Sequence, residues 1–207
     1  MQNLPRLAVT PEKLVLLVDG SGPLSVDFDS KIFLRRRAAG KAQGLIRACR
    51  PREGLRIVDA TAGWGRDAAL LASFGADVVM VERQPMMAAL LADGLSRLQN
   101  SPLKLSLITS DAIDYLKALL PSDRPEVIYI DPMHPVRQKS ALVKKDMQAL
   151  QQLIGADQDA LLLIQQALGC ASERVVVKWP QRLPPLIKPT HCIEGKTVRF
   201  DVYYVAS

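Results

Sequence analysis

From Leu55 onward, apolar runs of strand length alternate with segments whose apolar residues recur at helical spacing. The runs are "LRIVDA", "ADVVMVE", "LKLSLITSD", "EVIYIDP" and "RVVVKWP". Their β-branched, nearly continuous apolar character predicts strands buried on both faces. Between them, "PMMAALLADGLSRL" puts Met87, Leu90, Leu91, Leu95 and Leu98 on one helical face, with Pro85 suited to a first helical position. "SALVKKDMQALQQLI" does the same with Val143, Met147, Leu150 and Ile154. Such alternation predicts βαβ units and a mostly parallel sheet with helices on both faces. The end of the chain differs. "THCIEG" and "TVRFDVYYV" follow the last run with no helix between them, which predicts a hairpin adding antiparallel strands to the sheet edge. Ahead of Leu55, "KLVLLVDG" and "PLSVDF" are short apolar runs broken by the turn cluster "GSGP", a β-rich lead-in. One helix is expected over "KIFLRRRAAGKAQGLIRAC", with Leu34, Ala38, Leu45 and Cys49 sharing a face. The reading is one α/β unit, with a lead-in and basic helix over residues 1–50 packed on a main domain over residues 51–207.

Composition narrows the class. At 207 residues, 48% hydrophobic and 23% charged, the chain has the make-up of a soluble globular domain. No apolar run approaches the ~18 to 20 residues of a membrane span, and "MQNLPRLAVTPEK" lacks a signal-peptide core, so no membrane association and a cytoplasmic location are expected. Cys49, Cys170 and Cys192 lie far apart, which suggests reduced thiols rather than disulfides or zinc. With only His134 and His191 beside them, no metal site is expected. A net charge of +6 favours a polyanionic partner.

Candidate chemistry falls at the strand ends. In an open α/β sheet, ligands sit outside the carboxyl ends of the strands, and four successive runs end in or beside Asp59, Glu82, Asp111 and Asp131. A single acid there is usually a turn former or a helix cap; four in register point to a ligand. The first leads into "DATAGWGRDA", where Gly63, Gly65 and Ala68 fit G-x-G-x-x-G/A between a predicted strand and a predicted helix. Arg66 and Asp67 open that helix, and Asp67 reads either as a complement to the helix dipole or as a ligand contact. Glu82, 17 residues past Gly65, is placed to accept from the hydroxyls of an adenosine ribose. That holds for NAD and S-adenosylmethionine alike. Ser110 and Asp111 either cap the helix "DAIDYL" or bond the edge of an adenine.

One sheet of this size leaves no room for a second nucleotide half, and no proton-transfer pair suited to a dehydrogenase can be placed. Asp131 with Pro132 instead resembles the [DNS]-P-P-[YFW] signature of enzymes that methylate exocyclic amines. An aromatic amine is a poor nucleophile because its lone pair is delocalised into the ring. A carboxylate and a backbone carbonyl accepting both N–H bonds hold it and favour charge developing on it, so positioning and electrostatics carry the catalysis.

Together these stretches resemble the bacterial ribosomal RNA small subunit methyltransferase J family, from about Val26 to Val205. The most specific are "VDATAGWGRDAALLAS", "VERQPMMAALLADGL", "DPMHP" with "QKSALVKKDMQ", and "VVVKWP" with "RFDVY". The resemblance implies a Rossmann-like class I fold. It also implies methylation of the N2 amine of a guanine in 16S ribosomal RNA, with S-adenosylmethionine as donor and S-adenosylhomocysteine as product. It implies cofactor contacts by Arg66 and Asp67, Glu82 and Arg83, Ser110 and Asp111, and Asp131, to which the strand-end reading adds Asp59, Gly63 and Gly65. Asp131, Pro132 and His134 are the expected catalytic turn. His134 stands where the family is expected to carry an aromatic residue, and imidazole also stacks on a base. The lead-in lacks the run of glycines expected near Ala38 to Gly40.

The charge distribution suits that substrate. Arg137, Lys139, Lys144 and Lys145 lie beside the catalytic turn, and the early helix carries Arg35, Arg36, Arg37 and Lys41. Such residues are either a solvated face or phosphate contacts for an RNA, or an assembled small subunit, whose target base is flipped into the pocket. Three alternatives stand: an amine methyltransferase for DNA, another RNA or a protein amide; a small NAD-dependent oxidoreductase; and a non-catalytic RNA-binding module.

Overall fold

The computed structural model describes residues 4–19, 21–98, 101–132 and 159–205. The predicted helix over "SALVKKDMQALQQLI" lies outside them, as do His134, Arg137, Lys139, Lys144 and Lys145.

The alternating pattern becomes a sheet with the order β5-β4-β3-β6-β7-β9-β8 among the described residues. Its parallel part is β3 (Arg56–Asp59), β4 (Asp77–Glu82), β5 (Leu105–Thr109), β6 (Val127–Ile130) and β7 (Arg174–Pro180). The expected hairpin is β8 (His191–Ile193) with β9 (Val198–Tyr204), and β9 inserts antiparallel between β7 and β8. Strand side chains alternate between faces, which separates two cores. Ile57, Val78, Met80, Tyr129 and Val176 face α2 (Gly44–Cys49), α3 (Arg66–Ala72) and α4 (Pro85–Ser96). Val58, Val81, Ile128, Ile130 and Val177 face α5 (Ala112–Ala118) and α6 (Ala160–Cys170). On α4, Met87, Leu90 and Leu91 are fully buried; each such side chain contributes about 1.5–3 kcal/mol relative to exposure. Leu95 and Leu98 only flank the core. Strand β5 departs from the two-faced expectation. It is the sheet edge, and Ile108 there is exposed.

The lead-in differs in detail. "KLVLLVDG" supplies β2 (Leu14–Leu17), whose partner is β1 (Arg6–Val9), while "PLSVDF" contributes a bridge between Leu24 and Leu16. The single expected helix is broken into α1 (Lys31–Ala38), a 3-10 turn (Gly40–Ala42) and α2. Gly40 takes φ +67°, a conformation that ends a right-handed helix. Each half therefore buries its own face, and Leu34 and Ala38 are exposed while Phe33, Leu45 and Cys49 are buried. Helix α1 begins at Ser30, whose hydroxyl accepts from Phe33 N, and carries Arg35, Arg36 and Arg37 in its last turn, where positive charge complements the dipole.

Candidate active site

Chain order along the sheet reverses between β3 and β6: β4 and β5 extend to one side of β3, β6 and β7 to the other. The acids cluster at the carboxyl edge of this switch, where an α/β sheet opens a crevice. Asp59 ends β3 and is buried, with Oδ1 accepting from Thr61 N at 3.1 Å. Thr61 Oγ1 in turn accepts from Asp131 N at 2.7 Å, which ties the β3 and β6 turns together. Glu82 ends β4 at 5% exposure. Its Oε2 accepts from Gly63 N at 2.9 Å and its Oε1 from Gln84 N at 2.8 Å. Gly63 and Gly65 both have positive φ, so the turn between them follows a path open to glycine. Asp111 caps α5, with Oδ1 accepting from Ile113 N and Asp114 N, and Ser110 donates to the Asp111 carbonyl. Arg83 reaches Asp159 at 2.9 Å and Asp111 at 3.6 Å. Pro132 is buried directly after Asp131.

Asp67 lies in the first turn of α3, where a negative charge complements the dipole, and it does more than that. Its carboxylate is the hub of an ion-pair chain. Oδ1 accepts from Arg36 at 2.6 Å, and Oδ2 accepts from the Tyr129 hydroxyl at 2.7 Å and from Lys178 Nζ at 3.3 Å. The same ammonium reaches Asp131 Oδ2 at 2.5 Å. Burial alone would raise the Asp67 pKa, but Lys178 and Arg36 outweigh it and hold the group well below the usual carboxylate range. Burial likewise works against the Lys178 ammonium, and the charges of Asp67 and Asp131 prevail and raise its pKa above that of an ordinary lysine. Among the described residues no cation pairs with Asp59. Burial, with the like charges of Asp67, Asp131 and Glu82, pushes its pKa up to about 8 against the Thr61 hydrogen bond.

Arg36, one of the expected RNA contacts, thus turns inward to Asp67. Arg35, Arg37 and Lys41 are exposed around the same turn. Arg66 is exposed, with its guanidinium 6.0 Å from the Trp64 ring centroid.

Comparison with known proteins gives this geometry a family. The family model described as "Putative SAM-dependent methyltransferase" matches residues 2–205. A Legionella pneumophila protein named ribosomal RNA small subunit methyltransferase J is 59% identical over 200 residues, 95% of this chain and 82% of the relative. The chain belongs to the ribosomal RNA small subunit methyltransferase J family. The Pseudomonas aeruginosa protein of that name is 43% identical over 202 residues, covering 92% of this chain and 77% of the relative. A solved SAM-dependent methyltransferase from Neisseria gonorrhoeae superposes with a TM-score of 0.76 at 31% identity, over 98% of this chain and 83% of that one. As a methyltransferase J family member, the chain is an S-adenosylmethionine-dependent enzyme with the class I fold.

The residues fit that cofactor by the chemistry of their acceptors. Glu82 accepts from Gly63 N and Gln84 N, and a carboxylate, an acceptor-only group, suits the hydroxyl donors of a ribose. The acid row offers negative charge to a cofactor with a sulfonium and an ammonium. Among the described residues no group of three or more His, Cys, Asp or Glu is arranged to hold a metal ion.

Sequence reasoning missed Thr61, Tyr129 and Lys178. For the last two a signal existed: each is the one polar side chain within an otherwise apolar stretch, "VIYI" and "VVVKW". Their partners are distant in the chain, and no spacing rule connects them.

Proposed function

We propose that the protein methylates the exocyclic N2 amine of a guanine in the RNA of the small ribosomal subunit. The observation that carries this reading is the position of Asp131 and Pro132 at the switch between β3 and β6, beside Asp59 and one strand from Glu82. Bound there, S-adenosylmethionine would supply an electrophilic methyl carbon: the N–C bond forms as the S–C bond breaks, S-adenosylhomocysteine leaves, and the amine's surplus proton passes to solvent. Glu82 accepts from the ribose hydroxyls, and Asp111 with Ser110 faces the adenine edge. Arg66, Arg83 and the glycine turn border the same cofactor. The Asp131 carboxylate accepts one N–H of the guanine amine and stabilises positive charge growing on nitrogen. Pro132 brings no N–H to compete, which leaves main-chain carbonyls for the second. Arg35, Arg37 and Lys41 hold phosphates of the flanking RNA, and Arg137, Lys139, Lys144 and Lys145, which lie outside the described residues, are assigned to phosphates from the sequence. His134 stacks on the flipped base. The relatives' printed name supports the RNA substrate, and such a substrate places the reaction in the cytoplasm.

Asp131→Ala should cut the single-turnover methylation rate on small-subunit RNA by about 10²–10³, the loss typical of one preorganised electrostatic partner, with cofactor affinity little changed. Near-parental rates, or methylation at a position other than guanine N2, would overturn the reading.

A further inference from the structure

We infer that Lys178 is a positioning residue for methyl transfer, a cation that orients the Asp131 carboxylate toward the amine and keeps it charged. This rests on Asp131 holding the amine, as proposed above. The ammonium projects from β7, next to β6 in the sheet, and bridges the Asp131 carboxylate at 2.5 Å and Asp67 at 3.3 Å. Asp67 is itself fixed by Arg36 from α1 and by the Tyr129 hydroxyl from β6. The lysine is therefore held from two sides, and one Asp131 oxygen is held with it. Thr61 fixes the backbone of the same residue through Asp131 N. Side chain and main chain of Asp131 are each pinned from a different strand, β7 and the turn after β3. Such support is what keeps a reacting group within a fraction of an ångström of a productive pose.

The charges explain why a cation is needed. Asp67 from α3 and Asp131 after β6 meet at this switch through one lysine, beside Asp59, whose proton is held to about pH 8. Arg36 answers Asp67 from the α1 side, whereas Lys178 touches both Asp67 and Asp131. Removing it takes a cation from Asp131 and leaves the Asp67 charge in the same crevice, which favours the protonated acid. A protonated Asp131 is a weaker acceptor for the amine. Lys178 itself stays protonated, so it takes no proton from the substrate.

The test compares Lys178→Met, Lys178→Gln and Lys178→Arg with the parent in single-turnover methylation of small-subunit RNA at saturating S-adenosylmethionine, from about pH 5 to 9, the range in which a crowded carboxylate titrates. The first two should lose about ten- to a hundredfold in rate, less than the ~10²–10³ for a group touching the reacting atoms. Their rates should climb with pH between about 5 and 8, where a carboxylate crowded by like charge ionises; the parent should be level there. Lys178→Arg should recover much of the rate and the level profile. Cofactor affinity by calorimetry should stay close to the parent's throughout. A purely structural lysine would lower the melting temperature with no change in the shape of the pH profile, which overturns the inference. Should Lys178→Met not fold, Lys178→Gln, which keeps donors without charge, gives the same reading. Asp131→Ala separates the two failures: a slow Asp131→Ala with fast, level Lys178 variants sinks only the lysine's role, while a fast Asp131→Ala sinks the amine site.

Discussion

Asp59 and Asp67 share one crevice and have been driven in opposite directions, which makes them sensitive reporters of it. Asp59 holds its proton to about pH 8 in the folded chain, whereas in an unfolded chain a carboxyl releases it near pH ~4. Between those values the folded state binds more protons, so this residue's contribution to stability falls as pH rises through the window. Asp59→Asn keeps an Oδ1 acceptor for Thr61 N and removes the titration. Its melting temperature should gain on the parent progressively from about pH 4 to about pH 8; a constant difference would show that the buried acid does not titrate there. Asp67 has the opposite sign. Its lowered pKa adds stability above the usual carboxylate range, lost as pH falls through the folded value. Tyr129 and Lys178 went unread although each is a lone polar residue in an apolar strand, and what they hold could not be read at all, since ion pairing depends on distances across the sheet.

The elements around the glycine turn set the approach to the cofactor. Gly65 is the N-cap of α3 at φ +67°, and a Cβ added there would lie 2.8 Å from Leu91 Cδ2 and 2.9 Å from Phe28 Cε1. Gly65→Ala therefore combines left-handed strain with overpacking against α4 and the lead-in. It should cost about 1–3 kcal/mol and weaken S-adenosylmethionine binding as α3 shifts, read by thermal unfolding and calorimetry together. The motif G-x-G-x-x-G/A identified this glycine, yet its tightest neighbours are core side chains. The α1–α2 region shows the reverse case. Its helical spacing runs on through "RRRAAGKAQG", but Gly40 turns the backbone, so residues predicted to share one face point different ways.

For the whole molecule, the +6 charge matters through where it is displayed. Arg35 and Arg37 are exposed while Arg36 is committed to Asp67. Neutralising Arg35 and Arg37 together should reduce the slope of log affinity for RNA against log salt by about 1.4–1.8, because two fewer phosphates are then neutralised by the protein. Arg36→Ala should act mainly on stability, because it leaves the half-buried Asp67 carboxylate with one cation fewer. Equal slopes for the Arg35/Arg37 variant and the parent would make those charges a solvated face.

Periodicity along the chain determined the layered α/β architecture, the parallel core and the antiparallel end, because strand and helix periods are local properties of hydrophobic spacing. The strand-end acids were legible for the same reason: in a parallel sheet every carboxyl end falls on one edge. Only the tertiary structure decided that Asp67, Lys178 and Asp131 form one ion-pair chain, that Thr61 fastens Asp131, and that Arg36 faces inward. These contacts join residues 31, 47, 70 and 111 positions apart. Electrostatics acts through space, at distances that only sheet order sets.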